Sequence, residues 1–282
     1  MKLKDLMVLP KFKIYKSKKE YSIQKWVLFF LLLFTIQFSF ASYILIPMDV
    51  ETQENHLKAY GITYWVLAKN EKVNWLLNYR GGSFLLKDSE EIRKECQIRG
   101  VSFEVLSDAK TAQILDEISS PSKNQEAVIL EKAPKIAVYS PKGSQPWDDA
   151  VTMVLTYAEI PYDVVYDTEV LEGELLLYDW LHLHHEDFTG QFGKFYGAYR
   201  ATPWYINDKK EAETLAAKLG YEKVSKEKLA VATSISDYVI GGGFMFAMCS
   251  ATDSFDIALA ASDTDICEPM FDGDASEAAY QS

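Results

Sequence analysis

The chain has 282 residues, of which 48% are hydrophobic and 13% aromatic, enough for a substantial core in one large domain or two small ones. Its 41 acidic against 29 basic side chains give a net charge of −12. That surface repels phosphate backbones and anionic membrane faces, and with no basic stripe interleaved with aromatics it excludes nucleic acid as a partner.

Residues 1–41 read as an export signal. Their eight lysines precede or border Trp26 to Phe40, an apolar run of about fifteen residues, and Ser39-Phe40-Ala41 carries small residues where a signal peptidase reads them. The run is short of the roughly 20 residues of a bilayer span and contains Thr35 and Gln37, so cleavage before Ser42 is expected rather than an anchor. The long basic lead-in also admits a start at Met7 or later. Without this segment 21 basic residues face 39 acidic ones, a net charge near −18. The mature chain, in the periplasm or cell envelope, is expected to have no stable membrane span. Its many acids serve solubility.

Tyr43 to Pro47 predicts a strand, Glu51 to Leu67 a helix and Val73 to Tyr79 a second strand. Arg80-Gly81-Gly82-Ser83 is a turn. Phe84 to Leu86 predicts a short strand, Ser89 to Ile98 a helix stopped by Gly100, Val101 to Leu106 a strand and Ala109 to Ile118 a helix. Such alternation points to α/β layering. Ser119-Ser120-Pro121-Ser122-Lys123-Asn124 is the clearest punctuation. The chain therefore divides into the signal (1–41), an N-terminal α/β region (42–120), a linker (121–133) and a second α/β domain (134–282).

In that second domain Lys135 to Ser140 is an apolar strand. Pro146, Asp148 and Asp149 open a helix with Val151, Val154, Leu155 and Ala158 inward. Asp163 to Tyr166 and Asp179 to His184 follow as strands. Asp208 and Glu211 fit a capping box for a helix ending at Gly220. Ser225 to Ile240 is another helix, and Gly241-Gly242-Gly243 turns into the fourth strand, before Cys249. A parallel sheet in the order 2-1-3-4 would gather the loops at Ser140-Pro141-Lys142, His184 to Asp187 and Cys249-Ser250 on one edge.

Cys249 breaks the apolar run Gly243 to Met248 just before the helical pattern Phe255, Ala258, Leu259. A thiol held on a tight strand-to-helix turn is pushed outward, and helix amides favour its thiolate. Free cysteine is also among the most buried residue types, so core packing stands beside this reading. The number of cysteines is odd, with Cys96 and Cys267 the others, which leaves at least one thiol free. Cys96 suits the core. A Cys249–Cys267 disulfide is the competing fate in an oxidising compartment.

His182-Leu183-His184-His185-Glu186-Asp187 holds three of the four histidines. Strand alternation sends His182 and His184 to one face, with His185 opposite or in the loop. An imidazole could deprotonate the thiol and Glu186 could orient it. Glu186, Asp187 and Asp253 would raise the thiol pKa unless imidazolium or the helix terminus outweighs them. A structural polar network is the plain alternative. A metal site on His182, His184 and Asp187 is chemically adequate for zinc, though Asp187 stands where the His-x-His motif of β-lactamase-type metallohydrolases has its next histidine. Asp263, Asp265, Glu268, Asp272 and Asp274 lack EF-hand spacing and read as a solvated loop. Aromatics from Phe188 to Trp204, among them Phe192, Phe195, Tyr196 and Tyr199, fit a ligand-facing lid or core beneath a long loop.

The Gly241-Gly242-Gly243 turn with Ala247-Met248-Cys249-Ser250-Ala251 resembles the class I glutamine amidotransferase-like fold over residues 134–282, and implies a flavodoxin-like three-layer α/β sandwich preceded by a smaller α/β region. Amidotransferases of that family place glycines around the cysteine, a Pro-Gly-Gly oxyanion turn after the third strand and a later His-x-Glu. This chain has alanines, His-His-Glu-Asp and no histidine after His185. Asn78 to Phe84, Gln145 to Ala150 and Ala247 to Ala260 also resemble an exported bacterial family commonly labelled asparagine synthetase B, which implies a longer protein with further residues after Ser282. The N-terminal cysteine nucleophile and ATP-binding Ser-Gly-Gly-x-Asp-Ser loop of true asparagine synthetases are absent.

Two readings stand. One is a thiol-dependent amidase or hydrolase acting on a small-molecule amide or peptide-like ligand, without cofactor. Cys249 would be nucleophile, a histidine of the 182–185 cluster such as His184 or His185, or one beyond the present C-terminus, would be base, and the Ser250 amide would serve an oxyanion site. The other is a non-catalytic module of the cell envelope that binds a ligand or protein in the same crevice. A metal-dependent hydrolase is the third alternative. The sequence sets no oligomeric state.

Overall fold

The computed structural model describes residues 42–141, 150–191 and 193–278. Residues 1–41, where the sequence points to an export signal, lie outside them, as do Lys142, Pro146, Asp148, Asp149 and Phe192 and the side chain of Phe195. No described helix is long and apolar enough to cross a membrane.

The first sheet is built from β1 (Ser42–Ile46), β2 (Val73–Leu77), β3 (Phe84–Lys87), β4 (Glu104–Ser107) and β5 (Glu126–Leu130), all antiparallel in the order β4-β1-β3-β2-β5. Alternation along β1 and β3 sorts the side chains by face. Ile44, Ile46, Phe84 and Leu86 meet α1 (His56–Ala68) and α2 (Glu90–Arg99), while Leu45, Leu76 and Leu85 meet α3 (Asp108–Ile118). Ser89 caps α2 by accepting the Ile92 amide at 3.1 Å, and Gly100 ends it in the left-handed region. α1 starts later than its composition suggests, because Asn55 takes the N-cap and accepts the Lys58 amide.

Residues 121–133, read from sequence as a linker, contain β5. Its sequence is apolar after Glu126, with Val128 and Leu130 half-buried and Ala127 and Ile129 exposed, and its backbone register on β2 sets Val73 opposite Leu130 and Leu77 opposite Glu126.

The second sheet is parallel. β6 (Ile136–Tyr139), β7 (Asp163–Val165), β8 (Trp180–Leu183) and β9 (Phe244–Ala247) run in the order β7-β6-β8-β9, the expected 2-1-3-4. α4 (Ala150–Ala158) covers one face through Leu155 against Ile136 and Val138. α5 (Asp167–Leu171), α8 (Val224–Ile240) and α9 (Ser250–Ala260) cover the other against Ala137, Leu181, Leu183 and Met245. A 3-10 turn at Glu174–Leu177, α6 (Gly193–Tyr199), α7 (Pro203–Lys218) and α10 (Pro269–Asp272) complete the described elements. The result is the three-layer flavodoxin-like, class I amidotransferase-like topology, with a smaller antiparallel α/β region before it.

Two local expectations change. Thr152, not Val154, joins Leu155 and Ala158 on the buried side of α4, and Val154 is exposed. α7 begins at Pro203 after Thr202, five residues before the proposed cap at Asp208, because proline at the first turn starts a helix without losing a hydrogen bond.

The sheets are joined where α1 crosses α4. A Cβ on Gly61 would stand 1.8 Å from the Ala158 carbonyl oxygen, so only glycine permits the approach. Lys58 pairs with Glu159 at 2.6 Å, and the Tyr64 hydroxyl donates to the Pro134 carbonyl at 2.9 Å.

Candidate functional site

Four parallel strands end at one edge, and each delivers polar chemistry there: Tyr139 from β6, Tyr166 and Asp167 after β7, His184 to Asp187 after β8, and Cys249 after β9. Cys249 occupies the two-residue link, with Met248, between β9 and α9, as its sequence position implied. Its backbone is at φ 52° and ψ −136°, close to a region that glycine alone populates freely. A non-glycine residue there costs on the order of 1–3 kcal/mol, supplied by the packing on either side. Cys249 is exposed.

The loop after β8 is stitched to this turn through its backbone. Met248 donates to the Leu183 carbonyl at 2.9 Å, and Ala251 donates to the His184 carbonyl at 3.2 Å. The hydroxyls of Ser250 and Ser254 donate to the carbonyls of His185 and Glu186 at 3.0 and 2.7 Å. The Glu186 carboxylate accepts the His184 amide at 2.9 Å, which folds the loop back on itself. The sheet edge therefore brings together the segments that carry Cys249, Ser250, His184, His185 and Glu186.

His182 stands apart from that group. It is fully buried in β8, stacked on Phe246 with ring centroids 6.0 Å apart, on the face carrying Trp180. His184 follows on the same side, its ring 6.0 Å from His182 and 3.6 Å from His185. Asp187 is turned into its own loop, accepting the Thr189 amide and hydroxyl at 2.8 and 2.5 Å. Among the described residues, the carboxylate and imidazole atoms that converge as a metal could use belong to Asp265, Asp272 and Asp274, not to His182, His184 and Asp187. That acidic trio already surrounds an ammonium. Lys223 Nζ lies 3.3 Å from both Asp265 and Asp272 and also pairs with Asp274. Three of the five acids of that segment are thus tied to Lys223, while Asp263 and Asp274 are exposed.

The three thiols are free and unequal. Burial pushes Cys96 up to about 12, against a smaller opposing pull from Arg99. Burial, with Asp272 and Asp265, does the same to Cys267, whose Sγ lies 3.8 Å from the Gly190 carbonyl. Both are core thiols. Phe188 belongs to the core as well, 1% exposed between Tyr139 and Phe255 with centroids at 5.3 and 5.6 Å. Tyr199 and Trp204 remain exposed.

One cluster was not anticipated. Lys228 Nζ sits 2.8 and 2.6 Å from the Asp167 carboxylate oxygens and 3.1 and 3.2 Å from the Tyr139 and Tyr166 hydroxyls. Tyr139 also donates to Asp167, and Glu227 is buried beside them. A signal existed: Lys228 falls on the inward stripe Val224, Val231, Ile235 of α8, where a charge must find a buried partner.

No family model matches the chain, and neither a curated protein nor a solved structure matches it.

Proposed function

We propose that this is an exported amidotransferase-like protein that uses Cys249 as a nucleophile on an amide or peptide-like acyl group. The observation carrying this reading is the strained backbone of an exposed cysteine at the strand-to-helix turn, since strain of this kind is retained where it aims a side chain. The thiolate sulfur attacks the acyl carbon, and the Ser250 amide at the head of α9 faces the developing oxyanion. His184 or His185 takes the thiol proton and returns it to the departing amine. Water then attacks the thioester, releasing the acid and restoring the thiol. Export directed by a signal in residues 1–41, and membership of the family labelled asparagine synthetase B, belong to the same reading. It requires no ATP, in keeping with the missing Ser-Gly-Gly-x-Asp-Ser loop.

The test is acylation with p-nitrophenyl acetate. The reading expects a burst of one p-nitrophenolate per chain, an acetyl mass on the Cys249 peptide, and loss of both in Cys249→Ser. Absence of burst and adduct rejects it. A non-catalytic module that keeps the fold and binds a ligand or protein at the same sheet edge is the second reading. That reading expects no acylation at any pH.

A further inference from the structure

Asp167 and Glu227 are each 1% exposed and Lys228 is 6% exposed, so three ionisable groups share one water-poor space between α5, α8 and the ends of β6 and β7. Fully ionised they would carry one uncompensated negative charge. Lys228 is already committed to both oxygens of Asp167 and to two phenols. Glu227 has no cation of its own, and its Oε1 makes no hydrogen bond. A buried carboxylate in that position is far costlier than a buried carboxylic acid.

We propose that the domain takes up one proton on Glu227 as it folds, and that this proton locks α8 against β6 and β7 until alkaline pH removes it.

The surrounding groups agree. Burial, opposed by Lys228 and reinforced by the Asp167 carboxylate, pushes Glu227 up to about 8 from an ordinary 4.5. Burial alone would pull Lys228 down, but Tyr166, Asp167 and Glu227 outweigh it and hold it charged. Tyr139 is raised well above its ordinary value by burial and Asp167, and Tyr166 is raised chiefly by burial, so neither phenol ionises in the range that matters. Glu169, at the rim on α5, accepts the Tyr166 amide at 3.0 Å.

The sign follows from which state holds the proton. Between about 4.5 and about 8 the folded chain keeps the Glu227 proton and the unfolded chain has lost it. Stability from this group is therefore complete below the lower value and falls as pH climbs to the upper one. Across that window the unfolding constant rises about tenfold per pH unit.

The experiment compares urea unfolding of the full chain and of Glu227→Gln at half-unit steps from pH 5 to 9. Glutamine keeps the shape and neutrality of the protonated acid, and histidines that titrate in both proteins cancel in the difference. The proposal expects the wild-type constant to rise about tenfold per unit relative to the variant between pH 5 and 7.5, with the gap levelling off above about 8. Parallel curves overturn it. Should Glu227→Gln fail to fold, carboxyl carbon NMR of the wild type decides: a Glu227 midpoint near 8 supports the proposal, and one near 4.5 overturns it.

Discussion

The Ala251 amide donates to the His184 carbonyl at 3.2 Å, so the first turn of the helix behind Cys249 is capped by the loop that carries the histidines. Cysteine turn and histidine loop are one mechanical unit. Two serine hydroxyls from α9 reinforce the same seam.

Ser254 is the better test of that seam, because its side chain is nearly buried and its hydroxyl meets the Glu186 carbonyl at 2.7 Å. Ser254→Ala is expected to cost about 1–2 kcal/mol by leaving the carbonyl unpaired. It should also slow acylation of Cys249 more than Ser250→Ala does. Urea unfolding and p-nitrophenyl acetate kinetics read the two effects.

Backbone strain at Cys249 makes a prediction of unusual sign. Alanine is normally preferred over glycine, but at φ 52° the order reverses. Cys249→Gly is expected to be more stable than Cys249→Ala by about 1 kcal/mol. Equal melting temperatures would show that the turn is relaxed.

Gly61 provides the converse case in a helix. Gly→Ala within a helix ordinarily stabilises by up to about 1 kcal/mol. Here the added carbon would overlap the Ala158 carbonyl, and Gly61→Ala is expected to destabilise by about 2 kcal/mol or more as α1 and α4 are forced apart. Thermal unfolding distinguishes the signs.

Lys223 governs the acidic segment. The Asp274 carboxyl is held below its ordinary value by Lys223 and Asp272. Its contribution is thus present above the unfolded carboxylate pKa and lost as pH falls through the depressed folded one. Lys223→Met should expose Cys267, whose amide donates to Asp265 at 3.0 Å, to thiol reagents at neutral pH. Amide exchange at Cys267, measured at decreasing pH, should show the wild type converging on the variant as the Asp274 carboxylate is protonated below its ordinary range.

The parallel sheet was legible because each strand is a short apolar run closed by turn residues, and right-handed crossovers leave few arrangements. Cys249 was legible for the same reason, standing where strand composition stops and helical spacing begins. β5 carries the apolar run Ala127 to Leu130, but the turn residues Ser119 to Asn124 just before it marked a boundary in sequence and hid a strand that pairs back on β2. The Asp167, Glu227 and Lys228 cluster was hidden by distance along the chain, since a buried charge reveals its partner only after folding. His182 looked equivalent to His184 in sequence, but the sheet buries the first and ends before the second.

The central claim, an aimed and reactive thiol at the sheet edge, is tested most directly by iodoacetamide labelling of the native protein from pH 6 to 9, read by peptide mass spectrometry. Cys249 is expected to label at least tenfold faster than Cys96 and Cys267, whose thiols burial raises to about 12. A Cys249 that reacts only after denaturation, or only after reduction, would contradict the account.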